Sequence, residues 1–180
     1  MNEEIDVVIR EAIPDDAGML IEVTKIIGGE TDLLVMNEEG MALEEEELAY
    51  QLARLYESEN NSLFVALINT QIVGVASVRA ETNFRVSHIG EVGISILQSY
   101  WGLGLGHLLM EELILWAQEG KIIRRLELTV QNRNHRAIHL YEKFGFQTEG
   151  ILARGARLDD GQFLDVRLMS LLLNEIKDDD

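Results

Sequence analysis

The sequence predicts an α/β or α+β protein whose central sheet carries helices on both faces. Short β-branched runs alternate with amphipathic segments of helical period, in the order β-α-α-β-β-β-α-β-α-β-β. The 180 residues are 47% apolar, which is enough to bury a core without cross-links. With one proline, no internal repeat and no Pro- or Ser-rich linker, we expect a single domain over 1–173 and an acidic tail at 174–180.

The first third of the chain predicts one strand and two helices. The apolar run 7–10 is typical of a short strand. Asp15 or Asp16 can cap a helix with apolar residues at helical spacing, and the pair Gly28-Gly29 predicts its end. A second helix is expected over 43–57, because its apolar residues share one face and its first turn is rich in Glu.

The remaining elements are predicted from changes in period. Three runs that are short, β-branched and bounded by polar residues predict strands at 63–68, 72–78 and 88–97. Between Gly106 and Glu119 the apolar period becomes 3.6, which predicts a helix packed on the sheet. The last elements expected are a strand through 126–130, a helix over 133–144, and a hairpin of 152–158 with 162–173 around Asp159-Asp160-Gly161.

Charge and cysteine content restrict the classes of function. The chain has 32 acidic and 15 basic residues, a formal charge of −17, so we expect no nucleic-acid partner. The absence of cysteine excludes disulfides, a cysteine nucleophile and Cys-based zinc sites. The acidic N-terminus does not resemble a signal peptide, and no apolar stretch approaches the ~20 residues that span a bilayer. We therefore expect a cytoplasmic protein with no membrane partner.

The negative charge is unevenly distributed along the chain. Residues 1–60 contain 17 acidic and 3 basic side chains, whereas residues 61–180 contain 15 and 12. The stretch 121–145 is locally basic, with six Lys or Arg against two Glu. This asymmetry predicts two regions with different electrostatic roles.

A glycine-rich loop at 98–107 lies between a predicted strand and a predicted helix. Glycines let a ligand approach the backbone, and the N–H groups at a helix N-terminus favour phosphate. The spacing Gly102-Leu-Gly104-Leu-Gly106 is not the G-x-G-x-x-G of a Rossmann loop, and no Gly-Lys-Ser or Gly-Lys-Thr follows as in a Walker A loop. From this segment alone, a phosphate-binding loop and a turn without a ligand both stay open.

A longer motif follows the next predicted strand. It reads Val130-Gln-Asn-Arg-Asn-His-Arg-Ala-Ile-His-Leu-Tyr-Glu-Lys-Phe-Gly-Phe146. At every defined position this resembles the pattern V-x-x-x-N-x-x-A-x-x-L-Y-x-K-x-G-F of the GNAT N-acetyltransferase superfamily. The loop from Trp101 to Gly106 resembles the family's acetyl-CoA motif (Q/R)-x-x-G-x-(G/A), with Trp101 where Gln or Arg usually stands.

The resemblance extends over most of the chain, at 5–172, and is similar to the branch that includes ribosomal-protein and several small-molecule acetyltransferases. It implies a GNAT-like mixed, mostly antiparallel central sheet of about seven strands flanked by four helices. It also implies acetyl-CoA as co-substrate, lying between splayed strands. The backbone of Ile94, Ser95 and Ile96 is expected to pair with the pantetheine arm and to polarise the thioester carbonyl.

The resemblance also assigns the other cofactor contacts. Asn134 matches the motif Asn that hydrogen-bonds the cofactor near the pantetheine. The basic stretch 121–145 is expected to face the nucleotide phosphates. The residues expected to hold the pyrophosphate are Gly102, Leu103, Gly104, Leu105, Gly106 and His107.

Two residues are the candidates for proton transfer. Tyr141 matches the Tyr that protonates the CoA thiolate in this family, and the alternative is a Tyr that only packs under the cofactor. Glu91 is our candidate for the base that accepts the amine proton, because it interrupts an apolar strand on the face of Gly93 and Ser95. A solvated Glu at a strand end, His88, or a chain of water molecules are the alternatives.

The histidines give no metal prediction. His135 and His139 have the i, i+4 spacing that can bind zinc, but no third ligand is evident and no H-E-x-x-H is present. We therefore expect no metal. Because no cysteine can form an acetyl-enzyme thioester, we expect direct transfer of the acetyl group.

The acceptor is expected near the connection 30–47 between the first two helices, where GNAT folds usually admit it. This connection is rich in acids, which predicts a cationic primary amine such as a polyamine or amino sugar. The alternative explanation is that these acids form a solvated face and a helix start. The competing functions are a protein N-terminal acetyltransferase, a non-catalytic acyl-CoA-binding module and a nucleotide-binding α/β protein. A homodimer is a further expectation, because dimers are common in the family.

Overall fold

The computed structural model describes residues 5–174. The predicted tail at 174–180 lies outside this range except for its first residue. Over the described range the chain forms seven strands, four α-helices and two short 3₁₀ turns. The elements are β1 Val7–Glu11, α1 Ala17–Glu30, α2 Glu45–Tyr56, β2 Ser62–Ile68, β3 Gln71–Arg79, β4 Ile89–Ile96, α3 Leu105–Glu119, β5 Arg125–Gln131, α4 His135–Lys143, β6 Gln147–Arg157 and β7 Phe163–Leu172.

One sheet contains these seven strands in the order β1-β2-β3-β4-β5-β7-β6. Neighbouring strands are antiparallel except β4 and β5, which are parallel. The expected mixed, mostly antiparallel sheet with four helices is therefore confirmed.

The two faces of the sheet are covered by different helices. Side chains alternate along β2, so Phe64 and Ala66 pack with residues of α3 and α4, whereas Val65 and Leu67 pack with residues of α1 and α2. Side chains such as Leu109 on the first face are fully buried. Each fully buried side chain of this size contributes roughly 2 kcal/mol by the hydrophobic effect. This double cover gives the rigid sheet on which the functional residues are placed.

The parallel pair β4 and β5 is joined over only three residues. Ile89, Gly90 and Glu91 pair with 125–127, and beyond these residues the two strands continue without pairing to each other. We call the opening between 92–96 of β4 and 128–131 of β5 the wedge. Its unpaired strand edges leave backbone N–H and C=O groups available to a ligand.

Two predicted boundaries are wrong. Helix α1 does not end at the glycine pair but continues through it to Glu30. Gly28 is needed for close approach instead, because a Cβ there would overlap the carbonyl oxygen of Asn37. Strand β6 begins at Gln147, five residues before the predicted Leu152. It is a mostly exposed edge strand with two register irregularities, so it lacks the apolar alternation that marks a buried strand.

Candidate active site

A cavity of about 730 Å³ opens in the wedge. Its walls come from β4, the glycine loop with the first turn of α3, the end of β5 with α4, and the start of the α1–α2 connection. The lining residues are Thr31, Leu33, Leu34, 92–96, Tyr100, Trp101, Gly102, 104–107, Thr129, Val130, 133–137, 139–141 and Lys143. None of these lining residues is Asp or Glu, whereas three are Lys or Arg and three are His. In a chain of charge −17, such a cavity suits an anionic ligand.

The glycine loop turns sharply before α3. Gly102 and Gly104 have φ of +79° and +81°, in the left-handed region that glycine adopts at low cost. A Cβ at Gly104 would meet no atom within 4 Å, so the loop leaves open space at the start of α3. Gly104, Leu105, Gly106 and His107 all line the cavity. The N–H groups and partial positive charge of the α3 N-terminus can therefore hold a pyrophosphate here.

Trp101 is held by two contacts beside this loop. Its indole Nε1 donates a hydrogen bond to the carbonyl oxygen of Ile96 at 2.8 Å. The guanidinium carbon of Arg136 lies 5.1 Å from the Trp101 ring centroid, a cation–π arrangement. A cation from α4 thus lies next to the position where the GNAT pattern usually has Gln or Arg.

The structure divides the basic stretch 121–145 into two groups. Arg124 donates to main-chain carbonyl oxygens, and Arg125 binds the carboxylates of Glu127 and Glu149. Hydrogen bonds from Arg125 and Ser170 lower the pKa of Glu149 to about 2. Lys121 is not among the lining residues. The basic residues on the cavity are Arg133, Arg136 and Lys143.

Tyr141 lies in the cavity wall and is 8% exposed. Burial raises the pKa of its phenol to about 12, because the phenolate would lose solvation. The phenol is therefore protonated at neutral pH, the form that a proton donor requires, while the raised pKa makes it a weaker acid than a free phenol. Tyr141 is placed there by α4, whose N-terminus is capped by Asn134 through a hydrogen bond from Ala137 N–H to Asn134 Oδ1, 3.2 Å long.

The proton-accepting candidates lie outside the cavity. The Glu91 side chain is 65% exposed and its carboxylate is 3.7 Å from Arg79. Because this carboxylate is exposed, it does not have the desolvation cost that we expected for a Glu within an apolar strand. Glu91 does share a strand face with Gly93 and Ser95, which line the cavity. His88, the other candidate side chain for the base, does not line the cavity either. Leu103, expected among the pyrophosphate contacts, is exposed and is likewise absent from the lining.

The α1–α2 connection reaches the cavity with different residues from those expected. Its acids do not line the cavity, whereas Thr31, Leu33 and Leu34 do. Sequence reasoning missed these three, together with Thr129 on β5. The only signal was the apolar pair Leu33-Leu34 within an otherwise acidic connection.

Three histidines share the cavity without forming a metal site. His107 stacks on Phe144 with ring centroids 4.7 Å apart, and His135 and His139 lie along α4. In the part of the chain that the structure describes, no group of three or more His, Asp or Glu side chains is arranged to hold a metal ion. We therefore assign these histidines to the lining of the anionic-ligand cavity.

Comparison with known proteins defines the class. The family model for the Acetyltransferase (GNAT) family matches residues 33–146. The L-amino acid N-acetyltransferase AaaT of Escherichia coli (strain K12) is 31% identical over 117 residues, which cover 65% of this chain and 72% of that protein. The chain belongs to the GNAT acetyltransferase family and is an acetyl-CoA-dependent N-acetyltransferase, as the motifs predicted.

Solved structures agree with this assignment. The GNAT-family acetyltransferase from Streptococcus pneumoniae is 43% identical, with a TM-score of 0.91 over 93% of this chain and 100% of that chain. A putative acetyltransferase from Salmonella typhimurium, solved with its cofactor acetyl-CoA, is 21% identical with a TM-score of 0.78, covering 97% and 98% of the two chains. This second likeness bears on the fold alone. Within residues 5–174, no helix is both long and apolar enough to cross a membrane.

Proposed function

We propose that this enzyme transfers acetyl directly to the primary amine of a small molecule, with free L-amino acids as the first candidate class. The observation that carries this proposal is a cavity lined by cations and free of carboxylates. Such a lining can accept the carboxylate of an amino acid as well as the phosphates of acetyl-CoA. The activity named for the 31% identical relative supports the same class.

Three parts of the cavity have a proposed role in binding acetyl-CoA. The loop 102–107 holds the pyrophosphate through its N–H groups, and Arg136 and Lys143 supply positive charge beside it. The edge of 94–96 that faces β5, which has no strand partner, hydrogen-bonds the pantetheine and provides an N–H for the thioester carbonyl. Asn134 contacts the cofactor from the α4 N-terminus.

The proposed reaction forms a C–N bond and breaks the C–S bond of the thioester. The neutral amine attacks the carbonyl carbon, and the electron pair of the C–S bond leaves with sulfur. Tyr141 gives its phenolic proton to the departing thiolate and recovers a proton from solvent. The chain has no cysteine that could carry the acetyl group, which supports direct transfer.

The proton lost by the amine needs an acceptor. We propose Glu91, acting through water, because it shares a face of β4 with Gly93 and Ser95, which line the cavity, and lies just before them on the strand. Its exposure allows it to return the proton to solvent. The alternative acceptors are His88 and a chain of water molecules. The variant Glu91→Gln separates Glu91 from both, because an unchanged kcat/KM assigns the proton to one of these alternatives.

A cationic acceptor is the second candidate. Residues 1–60 carry 17 acids against 3 bases, and exposed Glu38, Glu39 and Glu44 make no ion pair within the described residues. Glu30 and Asp32 are instead used in contacts within the protein. If these acids steer a polyamine, kcat/KM for it falls as ionic strength rises, since salt screens exposed charges. A salt-independent kcat/KM contradicts steering.

A thiol-release assay over a panel of amines tests the proposed function. The panel contains L-amino acids, a polyamine, an amino sugar and a peptide with a free N-terminus. We expect the highest kcat/KM among the amino acids. A higher kcat/KM for the polyamine or for the peptide would make that amine, and not free L-amino acids, the proposed acceptor. Binding of acetyl-CoA without turnover of any amine would favour a non-catalytic module.

A further inference from the structure

The start of the α1–α2 connection is tied to both strands of the wedge. The N–H of Gln98, just after β4, donates to Glu30 Oε2 at 2.8 Å. On the other side, Nε2 of Gln131 donates to the main-chain carbonyl oxygen of Asp32 at 2.6 Å. Gln131 is the last residue of β5. Residues 30–32 therefore span the wedge from the end of one strand to the end of the other.

Gln131 is also the centre of a closed ring of contacts. Its Oε1 accepts a hydrogen bond from Arg133 Nε at 2.8 Å, and the Arg133 guanidinium pairs with the Asp32 carboxylate at 2.8 Å. We call Asp32, Gln131 and Arg133 the clasp. The Asp32 and Arg133 side chains are 62% and 42% exposed, whereas Gln131 is 7% exposed. Gln131 is thus the buried member of the clasp, and its amide makes two of the three contacts, so its loss opens the ring both at the Asp32 main chain and at the Arg133 side chain.

The segment held by the clasp forms one wall of the cavity. Thr31, Leu33 and Leu34 line it directly. Behind this wall the connection packs closely on α1, where Gly28 leaves room for the main chain of Asn37. The wall is therefore fixed at its back by α1 and at its front by the clasp. A change at Gln131 frees the front contact alone.

The wall and the phosphate-binding elements lie on opposite faces of the sheet. Helices α3 and α4, which carry the glycine loop and Tyr141, pack on one face, whereas α1 and α2 pack on the other. We propose that Gln131 is a positioning residue that, through the clasp, holds the acceptor-side wall and sets the affinity for the amine. This rests on the proposed function, because it requires a small amine that enters beside the wall.

The substitution Gln131→Met tests the proposal, because Met has a similar volume and no donor. With the panel amine of highest wild-type kcat/KM, we expect the acceptor KM to rise about 10-fold, because Met keeps neither the hydrogen bond to the Asp32 carbonyl oxygen nor the one from Arg133 Nε. We expect kcat and the KM for acetyl-CoA to stay within about twofold. The matched control is Gln118→Met on the exposed face of α3, which should leave both KM values unchanged.

A second variant tests the donor itself. In Gln131→Glu the carboxylate can still accept from Arg133 but repels the Asp32 carbonyl oxygen. When the acid is protonated it donates again, so the ratio of variant to wild-type acceptor KM should fall as pH is lowered. A ratio independent of pH, an unchanged acceptor KM in Gln131→Met, or an equal rise in the KM for acetyl-CoA would each overturn the proposal.

Hydrogen exchange separates failure of this inference from failure of the proposed function. We expect the amides of 31–34 to exchange faster in Gln131→Met than in wild type, while those of α3 keep their rates. This readout needs no acceptor. If wild type acetylates no amine in the panel but 31–34 exchanges faster in the variant, the clasp stands and the proposed acceptor class fails. Unchanged exchange at 31–34 overturns the clasp whatever the acceptor is.

Discussion

The two ends of the cavity are built in different ways. The cofactor end comes from two contiguous segments, 101–107 and 130–143, whose glycines, helix starts and cations act close to where they stand in the sequence. The acceptor-side wall comes from 31–34 and is held by Gln131, which is 99 positions from Asp32. Under the proposed assignment, cofactor binding is thus a local property of motifs, whereas the acceptor wall depends on long-range contacts between residues that belong to no motif.

The largest expected effect is at the residue between the two ends. Tyr141→Phe removes the acid but keeps the packing of the ring, so we expect kcat to fall about 100-fold or more. Calorimetric titration should give an acetyl-CoA Kd within about twofold of wild type. Because burial raises the pKa of Tyr141 to about 12, its protonation state should not produce an alkaline decline in the wild-type rate below pH 10. A kcat within threefold of wild type in Tyr141→Phe would assign this residue to packing alone.

A charge placed at the cofactor end should weaken that end selectively. Gly104→Asp puts a carboxylate beside the proposed phosphate site, and Asp is one of the few residues other than Gly that adopt the left-handed backbone of this position. We expect the acetyl-CoA Kd to rise roughly 30-fold, about 2 kcal/mol. Gly161→Asp is the matched control, because Gly161 has φ of +90° and similarly open space in the β6–β7 turn. An equal rise in both variants would contradict a phosphate site at Gly104.

The α1 side of the protein can be destabilised by a substitution at a residue that does not line the cavity. The Asp16 side chain is 3% exposed and pairs with Arg10 at 2.7 Å before α1. Burial alone would raise the pKa of Asp16, but hydrogen bonds from Arg10 and from Ile13 N–H outweigh it and lower the pKa. We expect Asp16→Asn to reduce the free energy of unfolding by about 2 kcal/mol in urea titrations at neutral pH.

The pH dependence of that stability has a definite sign. Because the pKa of Asp16 is lower in the folded state, its stabilising effect is complete above the unfolded value of 3.8 and is lost as pH falls through the folded value. Wild type and Asp16→Asn should therefore converge in stability below pH 3.8. A difference that persists unchanged in acid would show that the carboxylate is not its source.

The smallest effect is expected at the stacked cation. Arg136→Gln should raise the acetyl-CoA Kd about fivefold, since one partly solvated charge beside a phosphate contributes roughly 1 kcal/mol. Arg54→Gln is the control, because Arg54 also stacks on an aromatic ring, Tyr50, at 5.9 Å but lies on α2. If both variants bind acetyl-CoA as tightly as wild type, the Arg136 charge does not contribute to phosphate binding, and its role is limited to the contact with the Trp101 ring.

The sequence predicted what local rules determine. The element order followed from apolar periodicity, and the glycine loop and the α4 motif identified the family. Local rules failed where tertiary contacts decide the outcome. Gly28 was interpreted as a helix end although it serves close packing on Asn37, and β6 has no buried face to reveal its start.

The acceptor side could not be predicted for the same reason. The acids of the α1–α2 connection suggested a charged entrance, but Asp32 is paired with Arg133 and the residues that reach the cavity are Thr31, Leu33 and Leu34. No spacing rule indicates that the amide of Gln131 binds the main chain of Asp32. Only the folded sheet, which opens between β4 and β5, brings these two residues together.

The separation of the two ends is tested most directly by calorimetric titration of acetyl-CoA into Gln131→Met and Gly104→Asp in parallel. We predict a Kd within about twofold of wild type for Gln131→Met and roughly 30-fold weaker binding for Gly104→Asp. Equal weakening in the two variants would contradict independent ends. Unchanged binding by Gly104→Asp would contradict the assignment of the glycine loop to the phosphates.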